Sequence, residues 1–361
     1  MFWNKKKNIL PVTKRRILFV LKRRDDYSCD MPYAGNKSVS TGMYNSVRMM
    51  VKMCNGRLHC DAKMVVVDDN NHIDKEVHDY KPTDVIIEGL WVVPEKMDIL
   101  YGLYPKVHWY VRIHSEIPFL SQEGKSMEWL HEYYNNGINI ACNSPRAQQS
   151  LSSVGIISNY LPNFYCGDTI KEDPNDTIIK LIHAQKISGY SDVINIGCFG
   201  AIRPLKNQLL QAIVAHRWAS DHHCKLNFFI NKGRVECGAS PIMNNLQHVF
   251  DNTDSDLIQI QWMPHEYFLG FLNNIDMCMQ VSLSETYNIC TADAILMNIP
   301  VVVSREIPFV DNTINDPCSA NEIYSMMDYV YKNKNKVKKN NEKSLIRYNN
   351  ETVDRWRFFI S

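Results

Sequence analysis

Gly200-Ala-Ile-Arg203-Pro-Leu-Lys206-Asn207 follows the apolar run Val193 to Phe199, and Ser284-Glu285-Thr286-Tyr287-Asn288-Ile-Cys-Thr-Ala-Asp293 follows the apolar run Ile275 to Val281. A short apolar run that ends in a glycine reads as a buried strand and its turn, so the first stretch is a flexible loop projecting two cations. Such a loop suits a phosphate. The second stretch reads as a strand leading into a helix that ends near Met297, with carboxylates at Glu285 and Asp293. Eight residues of α-helix rise about 12 Å and end about 80° from the starting direction. These two carboxylates therefore grip different parts of one long ligand.

Outward from there, the pattern repeats. The second half carries further apolar runs near 225 to 230, 257 to 261 and 300 to 303. The first half carries Arg16 to Leu21, Met64 to Val67, Asp84 to Ile87, Val107 to Val111 and Ile138 to Ala141. Runs this continuously apolar predict parallel strands covered on both faces by helices. Between the first two, Thr41-Gly42-Met43-Tyr44 opens an amphipathic helix through Cys54; a glycine at a helix start lets backbone approach a ligand closely. With 361 residues and 45% hydrophobic content, the chain suits two domains of about 150 to 170 residues each. The expected division is a Rossmann-like unit over residues 1–165, a polar linker over 166–192, a second Rossmann-like unit over 193–335 and a basic segment over 336–361. The fold class is α/β.

Residues 1–24 hold nine Lys or Arg and no acid, and residues 332–347 hold seven against one. Residues 25–331 keep 22 basic against 36 acidic groups, so an acidic body carries basic ends, which could meet a polyanion or a membrane surface. No run of about 18 apolar residues predicts a membrane span, and the lysine-rich start lacks the apolar core of a signal peptide; the expected location is the cytoplasm. Eleven cysteines at irregular spacings, without paired C-x-x-C, read as reduced and mostly buried.

The loop and the Glu-x7-Asp pair resemble the donor-side signature of GT-B glycosyltransferases, family-4-like enzymes built of two Rossmann domains. That signature is a Gly, Arg, Lys loop followed some eighty residues later by Glu-x7-Glu before a Gly-x-Pro-Val-Val strand. Here Ala201 stands where an arginine usually follows the glycine, Asp293 replaces the second glutamate, and Met297-Asn298-Ile299-Pro300 replaces Gly-x-Pro. The resemblance implies a nucleotide-sugar donor, such as a UDP-sugar, as co-substrate. Arg203 and Lys206 would neutralise its diphosphate, Glu285 would accept from the sugar and Asp293 from the ribose. Ser284, Thr286 and the backbone around Tyr287 and Asn288 would line the donor, and Gly42 would face it across the cleft. It also implies a last helix, through Asp354 to Phe359, that returns to the first domain.

The first domain must add chemistry. Arg112-Ile113-His114-Ser115-Glu116 follows the run 107 to 111, at a strand's C-terminal end, where doubly wound sheets bind ligands. His114 matches the histidine that similar enzymes hold beside the reacting sugar. Glu116 is the alternative catalytic group, because an inverting reaction needs a carboxylate to take the acceptor's proton. Asp68-Asp69 and Asp254-x-Asp256 could ligate Mg or Mn, but they lie apart from the donor motifs, so no metal and no other cofactor is expected. The reading is a hexosyl- or pentosyltransferase, with a noncatalytic nucleotide-sugar-binding protein and a sugar-nucleotide epimerase as alternatives. An Asn-, Ile- and Lys-rich composition with basic ends resembles bacteriophage proteins that glycosylate hydroxymethylated DNA bases such as hydroxymethylcytosine, which would make DNA a partner; a cell-surface glycan or lipid-linked sugar is the alternative acceptor. Trp109, Tyr110 and Trp129 could stack on an exposed base or pack in the core.

Overall fold

The computed structural model describes residues 15–23, 41–172, 178–180 and 192–361. Much of the basic start and most of the 166–192 linker lie outside the described residues. Two parallel sheets organise the rest. The first contains β1 (Arg16–Lys22), β2 (Asp61–Val67), β3 (Asp84–Glu88), β4 (His108–Ile113), β5 (Asn139–Cys142) and β6 (Ser158–Tyr160), in the order β2-β1-β3-β4-β5-β6. The second contains β7 (Val193–Gly197), β8 (Lys225–Asn231), β9 (Asp256–Ile260), β10 (Met277–Gln280) and β11 (Val301–Val303), in the order β11-β10-β7-β8-β9.

Alternation along each strand divides its side chains between two cores. Leu18 and Val20 of β1 join Val85, Ile87 and Trp109 on one face. Ile17, Phe19 and Leu21 join Val47, Met50 and Ile86 on the other. Helices cover both faces, so continuous apolar runs are what such strands require. β6 carries no apolar run: its three residues, Ser-Asn-Tyr, pair only with the edge offered by β5.

Strand order places the site. In the second sheet the chain builds β7, β8 and β9 outward, then returns to the other side of β7 for β10. The loops after β7 and β10 therefore diverge from one crevice, the place where open α/β sheets bind ligands. The first sheet reverses in the same way between β1 and β3, and the two crevices face each other.

Two connections hold the halves together. The segment after β6 packs so tightly on the helix His265–Leu272 that a β-carbon on Gly270 would lie 2.0 Å from the Lys171 carbonyl oxygen. The last helix, Lys334–Ile360, places Leu345 and Tyr348 in the second domain's core and Trp356 in the first's. Trp356 lies 6.0 Å from Phe19 between ring centroids, and its Nε1 donates to the Pro162 carbonyl at 2.9 Å. Trp109 is 1% exposed, Trp129 packs against the same core, and Tyr110 packs edge-on against Phe359. These three aromatics are committed to packing, and none lines the cleft.

Candidate active site

A cleft of about 700 Å³ lies between the domains. From the second domain Arg203, Lys206, Ser284, Glu285, Thr286, Tyr287, Asn288 and Asp293 line it. From the first come Gly42, His114 and Glu116. The structure thus brings to one place every site residue expected from the sequence.

On the second domain's wall, Gly200 adopts φ +114°, a left-handed conformation that favours glycine, and so turns the chain sharply after β7. Its N–H donates to Asn231 Oδ1 at 2.7 Å. Lys206 follows on a 3-10 turn and forms a close ion pair with Glu285 Oε1; each side chain is only 11% exposed. The same oxygen accepts from Ser282 Oγ and Asn288 Nδ2, both at 3.3 Å. Asn288 caps the helix Ile289–Leu296, its Oδ1 accepting from the Thr291 N–H at 2.9 Å. Capping leaves the positive helix end directed at the crevice. Arg203 lies over the Phe119 ring at 5.2 Å and 3.5 Å from Glu236 Oε2.

Asp293 is 2% exposed, and its Oδ1 accepts from Tyr165 at 2.6 Å and from His265 Nε2 at 2.7 Å. Burial lowers the affinity of His265 for its proton, but its bond to Asp293 and the charges of Asp293 and Asp168 outweigh that, and its pKa is raised. The Tyr287 ring packs against Phe309 and Tyr348.

The first domain's wall is built on a buried network. Arg112 donates from Nη1 to both Glu88 oxygens, at 3.3 and 3.2 Å, and from Nε to the Leu161 carbonyl at 2.9 Å. His114 Nε2 meets Glu88 Oε2 in a very close bond, and Nδ1 lies 3.3 Å from Asn143 Nδ2. Both ring nitrogens are therefore engaged within the protein. Glu116, 3% exposed, accepts a close bond from Ser144 Oγ and lies 3.4 Å from Arg146 Nη2. At Gly42 a β-carbon would meet Ile289 at 3.9 Å, an ordinary contact, so sterics do not demand glycine there.

Contacts cross the cleft. Thr286 Oγ1 donates to the His114 carbonyl at 2.9 Å. Arg146 donates to both Glu306 oxygens, at 3.0 Å to Oε1 and closer still to Oε2, and at 3.4 Å to the Glu285 carbonyl. In the two acidic turns weighed for metal, three carboxylates have partners of their own. Asp68 pairs with Arg23 at 3.0 Å, Asp69 Oδ1 accepts from the Asn71 N–H, and Asp256 pairs with Lys225 at 2.9 Å.

Sequence reasoning missed Glu88, Asn143, Tyr165 and His265. Three of them carried a legible signal. Glu88 closes the apolar run of β3, Asn143 directly follows β5 and His265 stands just beyond β9, so all three are polar groups near strand C-terminal ends.

No protein-family model matches this sequence, and no curated protein matches it by sequence. Solved structures do match in shape. Sucrose-phosphate synthase from Thermosynechococcus elongatus aligns at TM-score 0.63 and 12% identity, over 96% of this chain and 100% of that one. Anabaena HepE in complex with UDP-glucose aligns at TM-score 0.62 and 12% identity, over 94% of this chain and 98% of its own. The N-terminal domain of Candida albicans trehalose-6-phosphate phosphatase aligns at 0.63 and 11%, over 96% and 95%. At such identities the likeness is one of architecture, and with its two parallel sheets facing a cleft this chain has the GT-B fold.

Proposed function

We propose that this protein is a glycosyltransferase that moves a sugar from a nucleoside diphosphate to an acceptor hydroxyl. The observation that carries the reading is the Lys206 and Glu285 pair at the crevice, beside Arg203 and a helix N-terminus. A donor would part the pair: its diphosphate takes the ammonium, and its sugar hydroxyls take the carboxylate. As the glycosidic bond breaks, negative charge grows on the leaving phosphate, and Lys206, Arg203 and the helix end stabilise it in place of a metal ion. HepE, whose structure in complex with UDP-glucose aligns over 98% of its own chain, supports a UDP-sugar as the first donor to try. On Glu116, Ser144 and Arg146 both meet Oε1, which leaves Oε2 as the oxygen to take the acceptor's proton.

For the acceptor, we propose a hydroxymethylated base in phage DNA. Lys336, Lys339 and Lys343 are exposed at helical spacing on the last helix and give a polyanion a sequence-independent hold. Of the described N-terminal cations, Arg15 and Arg23 pair with Asp84 and Asp68 of this chain, and Arg16 lies 3.6 Å from Asp61. The test is incubation with hydroxymethylcytosine DNA, or with glycans, and a panel of nucleoside-diphosphate sugars with EDTA present, followed by mass spectrometry. Added hexose or pentose on the nucleoside establishes the DNA acceptor; label on glycan only moves the acceptor to a surface polysaccharide; donor isomerised without transfer rejects the transferase.

A further inference from the structure

Asn143 is 1% exposed, lines the cleft directly after β5, and has a buried Oδ1 with no hydrogen-bond partner. The direction of its amide is set from behind. Burial raises the Glu88 carboxyl, but Arg112 and His114 outweigh it and hold the group below the usual carboxylate range. An ionised carboxylate only accepts, so the His114 Nε2 against it carries the proton. Burial, with the charge of Arg112, lowers the His114 pKa against the opposing pull of Glu88; this favours the neutral ring, in which Nδ1 is a bare lone pair. The Asn143 atom 3.3 Å from Nδ1 must then be the donating NH2. Polarity thus runs in one direction, from Glu88 through His114 to Asn143, and the amide oxygen is left over as an acceptor.

A buried acceptor without a donor is destabilising, and one in a cleft wall is relieved when a ligand brings an O–H. The charges of the cleft indicate which ligand. Its lysine and arginines, Lys206, Arg203 and Arg234, come from the second domain, whereas the charged groups of the described first-domain wall are Glu116 and Glu123. A phosphate or carboxylate oxygen placed at Asn143 would meet another acceptor, on a wall whose charged groups are carboxylates.

We infer that Asn143 Oδ1 accepts a hydrogen bond from a neutral hydroxyl of the acceptor substrate, and that Glu88 and His114 are the positioning pair that keeps this oxygen forward. The assignment rests on the transferase reading above. It applies equally to the hydroxymethyl group of a base and to a sugar-ring hydroxyl, and the assay separates them by using hydroxymethylcytosine DNA in one arm and maltose in the other. Asn143→Ala should raise the acceptor KM about tenfold in the productive arm, with UDP affinity by calorimetry unchanged. An acceptor KM within about twofold of wild type in Asn143→Ala, or a matching fall in UDP affinity, would overturn the assignment. A second measurement needs no variant: 15N NMR of the histidines in the intact protein should show His114 as the Nε2–H tautomer, and an Nδ1–H tautomer would sink the relay. If the wild type transfers sugar to nothing, the transferase reading itself falls, and this assignment with it.

Discussion

On one wall of the cleft, Lys206 and Arg203 rise from a glycine-turned loop beside a capped helix end, and the strongest contact is an ion pair, Lys206 with Glu285, that a ligand can part. On the opposite wall the polar groups are locked among themselves: Glu88 between Arg112 and His114, His114 between Glu88 and Asn143, Glu116 against Ser144. Both walls stand at the C-terminal ends of parallel strands, so the architecture alone does not set their chemistry. The difference teaches that one domain is arranged to meet charge and the other to hold a shape. A charged ligand can supply the energy to rearrange a cationic wall, whereas a neutral hydroxyl must find its partner already oriented.

The comparison can be broken at its strongest point first. Lys206→Ala should cut turnover about 100-fold and weaken nucleoside-diphosphate binding by about 10- to 100-fold, the range for a charge-assisted bond of about 1.5 to 3 kcal/mol. Calorimetry with UDP checks it, and unchanged affinity removes Lys206 from the charged wall. His114→Ala tests the shaped wall. Turnover should fall about 10- to 100-fold through lost positioning with UDP still bound; a parallel loss of UDP affinity would erase the distinction between the walls.

Two smaller effects sharpen how the walls are held together. Asp168, on the segment between the domains, is partly buried, which raises its pKa, but its close bond to Arg48 prevails and lowers it to about 2. A folded pKa below the unfolded value of about 3.9 means stability that is complete above about pH 4 and is lost as pH falls toward 2, by about 2 kcal/mol. Urea titrations of wild type and Asp168→Asn across that window should converge at the acid end; curves separated by a constant gap would reject the linkage. Arg146 is half exposed, so its bonds to Glu306 contribute about 1 kcal/mol or less. Arg146→Ala should leave the melting temperature nearly unchanged while opening the domains in solution scattering, and an unaltered scattering profile would show that Thr286 and the last helix suffice.

How much of this was legible in the residues depends on how local the cause is. The apolar runs named β1, β3, β4, β7 and β8 in advance because burial on both faces imposes a one-dimensional pattern, whereas β6, Ser-Asn-Tyr, carries no such pattern and exists because a neighbouring edge was free. The Gly200 turn, Lys206 and Glu285 were readable for the same reason: each stands in the few residues after an apolar run, and a strand's C-terminal end is where a doubly wound sheet exposes its loops. The contacts of Asn143 and Glu88 differ. The two residues stand 55 positions apart and both reach His114 only because β3, β4 and β5 lie side by side, so no local pattern records that His114 spends both nitrogens inside the protein. Asp293 is similar, since spacing placed it beside the ligand while Tyr165 and His265, brought in by the crossing segment and a different helix, occupy one of its oxygens. The sequence by itself determined the two parallel sheets and the loops that carry charge, because those follow from neighbouring residues. Only the tertiary structure decided which polar groups are spent on one another and which are left to bind, because hydrogen bonds saturate and their partners come from distant parts of the chain.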